Sequence, residues 1–452
     1  MVFDPNAPPA RPSRLIVPGS EEPGEKARII LPPGTVRESA TDLPEYPRLR
    51  RLVIAPVRDG ERELLVVSDP MGVIPGQPVL GIESLAILQL LDGTVSMTDL
   101  IAAVMQESKD LRVGNMVRDF VAQLDELLML ESPRFEAALA AAREQYHQLE
   151  IRPAALEGLS YPPDRSELEA FLDAHFADAE AMRAQAGDPQ PAADAVPLAL
   201  LSPHLDPRRE GALMARAFLE LGRQPTEPLR VIVWGTGHQL VGDLLALTRK
   251  HFQTPLGMVT TDTAFVDRIA AKLGEAAYRG ELAHREEHSI EFQLLYLQHR
   301  LGERPFTIVP ILCGGFYTLL DEHCTPREEP AIEALVEAVR EAQGALGGRT
   351  LHVAGVDFSH VGPRFGDGTL TDEAKSAVRK VDEAALAAAQ AGDADAWFAV
   401  IAAADDATRI CGFAPTYCML RSAEPGPGRA LGYAQSMEKD TSLVSVAAMV
   451  WQ

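Results

Sequence analysis

The sequence predicts an α/β protein whose mixed, largely parallel sheet is flanked by helices and preceded by a small separate domain. From about residue 197 onward, short apolar runs rich in β-branched residues alternate with amphipathic helical stretches, the pattern of a sheet covered on both faces. Three of these runs close on a histidine: PLALLSPH at His204, LRVIVWGTGH at His238 and TLHVAGVDFSH at His360. Texture also changes near Arg51 and again near Ile151, which sets a smaller domain apart from the larger one. A chain of 452 residues exceeds a single typical core, so two domains are expected.

Taken in order, residues 1–48 are rich in Pro, Glu and Arg without apolar periodicity and are expected to form a disordered tail. RLVIAPV and ELLVVSDP then read as two strands of a hairpin around Asp59-Gly60. GIESLAILQLLDG places Leu85, Leu88 and Leu91 at helical spacing and stops at Gly93; a second helix starts near Thr94 with Ser96 or Thr98 as cap. VRDFVAQLDELLML carries Val117, Phe120, Val121, Leu124 and Leu128 on a third amphipathic face. Hairpin and helices give residues 49–132 the size of a winged helix. Residues 133–150 read as a helical connector.

In the larger domain, residues 151–452, a Pro-Pro-Asp turn leads into a helix carrying Leu168, Leu172 and Phe176. Strands are expected near 197–203, 229–234, 306–312, 350–356, 430–436 and 442–450. Helices are expected near 210–222, 262–274, 287–301, 328–345, 371–391 and 394–403. In open α/β sheets the carboxyl ends of the strands line the ligand crevice, so the three histidines are expected to converge there, with Asp357 and Ser359 beside His360. GTGHQLVG does not fit the dinucleotide fingerprint. On the 287–301 helix, His288 and Glu291 are three residues apart and share a face.

Composition narrows the function. With 42 basic against 65 acidic residues and a net charge of -23, the chain is a poor candidate for nucleic acid or anionic membrane. The third helix of the small domain, with Asp119, Asp125 and Glu126 against Arg118, says the same of DNA. No apolar run of membrane-spanning length occurs and the N-terminus lacks a signal-peptide core, so a cytoplasmic protein is expected. Four irregularly spaced cysteines suggest reduced thiols.

SPH at 202–204, GTGH at 235–238, EEHSIEFQLLYLQ at 286–298, IVPILCGG at 308–315, DFSH at 357–360, ICG at 410–412 and GYAQS at 432–436 occur in the order found in Memo-like proteins. Those are similar in fold to class III extradiol dioxygenases, and their bacterial members are labelled AmmeMemoRadiSam system protein B. The resemblance implies a non-haem metal pocket, usually assigned to iron(II), with copper or zinc as alternatives, whose ligands match His204, His238 and Cys411. It also matches His360 to an acid/base histidine, with Asp357 to orient it. His288, Glu291, Gln239, Asp206 and Ser359 are the candidates for lining the pocket. Where the family often continues PHAGY, this chain reads PHLDPRREG, so Asp206, Arg208 and Arg209 are expected to reshape the rim, and Gln239 stands where a second histidine often follows. ILQLLDGT and VAQLDELLMLE make residues 49–132 resemble the PqqD-like domain that binds precursor peptides.

Three functions follow as alternatives. The first is an iron-dependent oxidoreductase acting on a small molecule or peptide. The second is a metal-free hydrolase or transferase with Cys411 as nucleophile and His360 as base, which requires the two within hydrogen-bond reach. The third is an accessory scaffold that presents a peptide to a radical-SAM partner.

Overall fold

The structure, a computed structural model, describes residues 43–452 except 61, 110–112, 241 and 440. Most of the expected tail, residues 1–42, therefore lies outside the described residues. The chain divides into two compact units between Gln145 and Tyr146, inside the expected connector.

The first unit is built on a three-stranded antiparallel sheet of Val53–Asp59, Arg62–Ser68 and Val79–Gly81. The hairpin closes at Asp59↔Arg62, with Gly60 at φ 63°, a left-handed turn position that glycine tolerates without steric cost. Of the three expected helices, the first shortens to Leu85–Leu88, while Met97–Ser108, capped by Ser96, and Val113–Glu126 follow. Ile54, Leu65 and Val67 of the sheet pack with Leu100, Val104, Val117, Val121 and Leu124 of the helices in one core. The helix Pro133–His147 spans the division between the units.

In the second unit an eleven-stranded sheet is mixed and mostly parallel at its centre. Ala199–Ser202, Arg349–Gly355, Leu229–Thr236 and Phe306–Cys313 lie side by side and parallel. Leu443–Trp451 joins antiparallel beside Ala199–Ser202, with Arg429–Met437 and the two-residue His360–Val361 paired to it. On the other flank Gly257–Thr261, His251–Thr254 and Ile151–Arg152 extend the sheet, and Leu245–Leu247 pairs with Phe306–Cys313. Every position of Leu443–Trp451 is buried, which is why the strand reads as a continuous apolar run and not as an alternation.

Two cores result, one on each face. Alternate side chains of one strand feed both: Val231 and Val233 enter the core with Leu172, Phe218 and Tyr296, while Ile232 and Trp234 enter the other with Val339, Trp397 and Tyr417. This is the two-residue period of a strand expressed on a sheet covered twice. The six expected strands are present, with their ends shifted by no more than two residues. The short strands between 245 and 261 and the helix Phe413–Ala423 were not expected. That helix is buried on every side, so it has no polar face to produce a helical period, and Pro415 in its first turn reads as a breaker although the first turn tolerates it. No described helix is long and apolar enough to cross a membrane.

Inside the sheet, His352 is fully buried and the Trp234 indole N–H donates to its Nδ1 at 3.2 Å. Burial pushes its pKa from 6.5 down to about 3. Between those values the unfolded chain takes up a proton that the folded chain refuses, so stability falls as pH drops below about 6.5. His352→Gln is expected to reduce the loss of stability between pH 7 and pH 5 by about 2 kcal/mol. Parallel urea titrations at the two pH values read this directly, and identical losses in parent and variant would refute it.

Candidate metal centre

The donor cluster forms because three chain segments end at the same edge of the sheet. The strand Ala199–Ser202 leads to His204, Leu229–Thr236 leads to His238, and Arg349–Gly355 leads to Asp357. Cys411 arrives from the other direction, one residue before Gly412 opens the helix Phe413–Ala423. Gly412 donates its N–H to the Asp357 carbonyl at 3.0 Å, and a Cβ there would lie 2.8 Å from that same oxygen and from Val356 Cβ. Only glycine allows this approach, and the approach sets Cys411 against the strand end.

His204, His238 and Cys411 each offer a ligand atom, and the three atoms lie within 4.8 Å of one another. His204 is buried and its Nδ1 is 2.8 Å from the Gly355 carbonyl. A carbonyl only accepts, so Nδ1 carries the proton and Nε2 keeps its lone pair, 3.3 Å from Cys411 Sγ. In His238, Nδ1 is 3.0 Å from Glu287 Oε1, and the backbone N–H donates to Glu287 Oε2 at 3.0 Å. Glu287 also accepts from the N–H groups of His288 and Ser289 at 2.9 Å each and so caps the helix His288–Leu301.

The electrostatics follow from burial and these contacts. Burial, with help from His238 and His288, holds the His204 pKa well below its usual value, so it stays a neutral imidazole. At His238, burial opposes the charge, but Glu287 and Cys411 raise the pKa well above its usual value. Glu287 is held well below the carboxylate range, because His238 and the capping amides outweigh its burial. Burial raises the Cys411 thiol, with His238 pulling the other way. Asp357 is pushed up to about 7 by burial, against the N–H groups of His204 and Leu205 that donate to it. Its Oδ2 lies 3.7 Å from His204 Nε2.

His288 is the third ring of the cluster. Its centroid is 4.7 Å from that of His238, nearly parallel, and 5.0 Å from that of His204, edge to face. His360, expected to converge with His204 and His238, stands next to the cluster: its Nδ1 is 2.9 Å from the Phe358 carbonyl and 3.1 Å from the Arg409 carbonyl, and Phe365 packs edge-on. Burial first, then His238, lowers its pKa to about 4. Cys411 Sγ meets His204 Nε2 and the Asp357 carbonyl. No hydrogen bond joins Cys411 to His360 among the described residues.

The other candidates scatter. Glu291 points away from the cluster: Arg152, the Tyr161 hydroxyl and the N–H groups of Ala155 and Leu156 take its carboxylate. Ser359 is buried and donates to Asp382 at 2.6 Å. Asp206 caps the helix Pro207–Phe218 and pairs with Arg208, while Arg209 pairs with Glu438, so the charges expected to reshape the rim are matched internally. Gln239 is half-buried in the turn after His238. Sequence reasoning missed Glu287. Its signal was an acid immediately before a helix, in EEHSIEF, and a glutamate is not among the residues a capping rule favours. At the opposite end of the parallel strands, a mostly apolar hollow of about 340 Å³ is lined by Leu229, Phe306, Leu346 and Arg349, and it carries none of this chemistry.

Fold and donor set together define an α/β protein whose sheet edge gathers two imidazoles and a thiol in a group of the kind that holds a transition metal. The chain belongs to the Memo-like family, whose model matches residues 152–450. A MEMO1 family protein of Thermus thermophilus is 31% identical over 336 residues, covering 74% of this chain and 92% of the relative. One from Aquifex aeolicus is 26% identical, covering 71% and 77%, and one from Methanopyrus kandleri 32% identical, covering 53% and 77%.

Proposed function

We propose that His204, His238 and Cys411 hold a single metal ion, iron(II) in first place and copper or zinc after it, and that the protein is an oxidoreductase acting on a small molecule or peptide. The observation that carries this reading is the pair of anchored rings. Each imidazole spends Nδ1 on an acceptor, His204 leaves Nε2 3.3 Å from the thiol, and His238 offers a nitrogen to the same group, the arrangement that orients histidine ligands in metal sites. Imidazole and thiolate suit iron, copper and zinc and disfavour magnesium and calcium. When bound, such an ion supplies Lewis acidity and, for iron or copper, one-electron chemistry. The surrounding residues hold and move protons. Asp357, poised near neutrality, keeps or releases one beside His204, and His360, with Nδ1 committed to carbonyls, presents Nε2 as the acceptor. His288, partly exposed and stacked on the similarly exposed His238, gives the site a second ring that a substrate can meet.

A metal-free Cys/His hydrolase fits less well, because Cys411 is paired with His204 and not with His360, and burial raises its thiol where a nucleophile needs it lowered. The first unit supports an accessory role in addition, as the PqqD-like part of an AmmeMemoRadiSam-type system with a radical-SAM partner. Val53–Asp59 is an edge strand of its sheet, with Val57 exposed, and an edge of this kind accepts a peptide as an added strand.

Elemental analysis of protein purified without oxygen tests the proposal. The parent is expected to carry close to one equivalent of metal and His204→Ala almost none. Equal content in the two chains would remove the site.

A further inference from the structure

The Arg152–Glu291 pair is fully buried and lies outside the donor cluster. A buried ion pair is a costly way to fill space, since apolar side chains of similar volume often serve stability as well. What apolar side chains cannot supply is direction, and this guanidinium is used in three directions. Nη1 meets the Glu291 carboxylate, Nε donates to the His284 carbonyl at 2.8 Å, and Nη2 donates to the Glu287 carbonyl at 2.8 Å. All three acceptors lie on one short segment, residues 284–291, which carries the carboxylate that orients His238 and opens the helix bearing His288. Glu291 completes the tie by accepting from Ala155 N–H and Leu156 N–H at 2.9 Å each and from the Tyr161 hydroxyl. The far side of the guanidinium rests on the Phe252 ring, 5.3 Å from its centroid. Arg152 itself sits on Ile151–Arg152, the outermost strand on that flank of the sheet.

We propose that Arg152, with Glu291 as counter-ion, is a positioning residue for the metal-binding histidine: it fixes the Glu287 peptide, and through it the carboxylate that holds His238 Nδ1. The proposal rests on the metal site proposed above. It makes the IRPAALEGLSY segment a working part of that site, acting through the residues of 284–291 that it touches and not through the ion.

Co2+ added to the metal-free full-length protein, followed by absorption, provides the test. Arg152→Lys keeps a positive charge opposite Glu291 but cannot reach the His284 and Glu287 carbonyls together, since its ammonium is a single point. The variant is expected to fold, to bind Co2+ about 10- to 100-fold more weakly, and to shift the cobalt spectrum. In a cycle with Glu287→Gln, the double variant should bind no worse than Glu287→Gln alone, because both changes disable one device. Wild-type affinity and spectrum in a folded Arg152→Lys chain, or additive losses in the cycle, would overturn the proposal. Arg152→Gln, neutral and able to donate to the Glu287 carbonyl, replaces the lysine variant if that one does not fold. If neither folds, Arg152 is a structural pin and the proposal fails. Absence of Co2+ binding by the parent is a different result, since it would remove the metal site itself.

Discussion

Cys411→Ser is expected to strip the protein of tightly held metal while leaving the fold intact. Oxygen is smaller than sulfur, so the change introduces no clash, and the two contacts of Sγ, to His204 Nε2 at 3.3 Å and to the Asp357 carbonyl at 3.5 Å, are of a kind a hydroxyl also makes. The thermal midpoint of the metal-free chain should therefore move by no more than about 3 °C. The ligand chemistry changes far more. Thiols ionise near neutrality when a cation is at hand, whereas an alcohol does not, so serine offers a neutral oxygen where cysteine offers an anionic soft donor. Because burial already raises the Cys411 pKa, the proton leaves only when metal replaces it, and binding and ionisation are one event. Cobalt makes this visible. The parent should develop a near-ultraviolet thiolate-to-cobalt band on titration, and Cys411→Ser should lack it and bind at least about 100-fold more weakly. A band of equal strength in the serine variant would show that the sulfur is not a ligand.

Much of the sheet was legible because its strands are buried on both faces and stop abruptly at polar residues. The same feature made His204 and His238 legible as site residues, since a parallel strand delivers side chains to a crevice at its carboxyl end. Cys411 was different. Nothing in ICG announces a ligand, and only its place among the family's motifs identified it. His360 and His288 show the limit of strand-end reasoning. Both lie near the cluster, but His360 is turned by two backbone carbonyls while His288, on a helix, stacks on His238 at 4.7 Å. Spacing also misplaced Glu291: three residues put it on the face of His288, yet Arg152, 139 positions earlier, claims its carboxylate. Partners that distant leave no local pattern. The helix after Cys411 was invisible for the opposite reason, being buried on all sides.

Glu287 does two jobs that substitution should separate. As a cap it accepts from the N–H groups of His288 and Ser289, and as an orienting group it accepts from His238 at both the backbone N–H and Nδ1. Glu287→Gln keeps one acceptor oxygen and exchanges the other for an N–H2 donor. If the oxygen stays at Oε1, where it serves the capping amides and His238 Nδ1, the new amide at Oε2 faces the His238 backbone N–H, and the clash of donors pushes the turn that carries the ring out of place. Binding of Co2+ should weaken by about 10- to 100-fold, while the helix keeps its cap. Glu287→Ala removes both functions, but sets no donor against the His238 backbone N–H, so the ring retains access to its binding position. The alanine variant should accordingly be the less stable of the two, by about 1 kcal/mol for the cap alone, yet should bind metal no worse than the glutamine variant. Denaturant unfolding of both metal-free chains, paired with cobalt titration, gives the two orders. If stability and affinity instead fall together, with alanine worse in both, Glu287 acts on the metal only by holding the helix in place, and the orienting role assigned to its carboxylate is wrong.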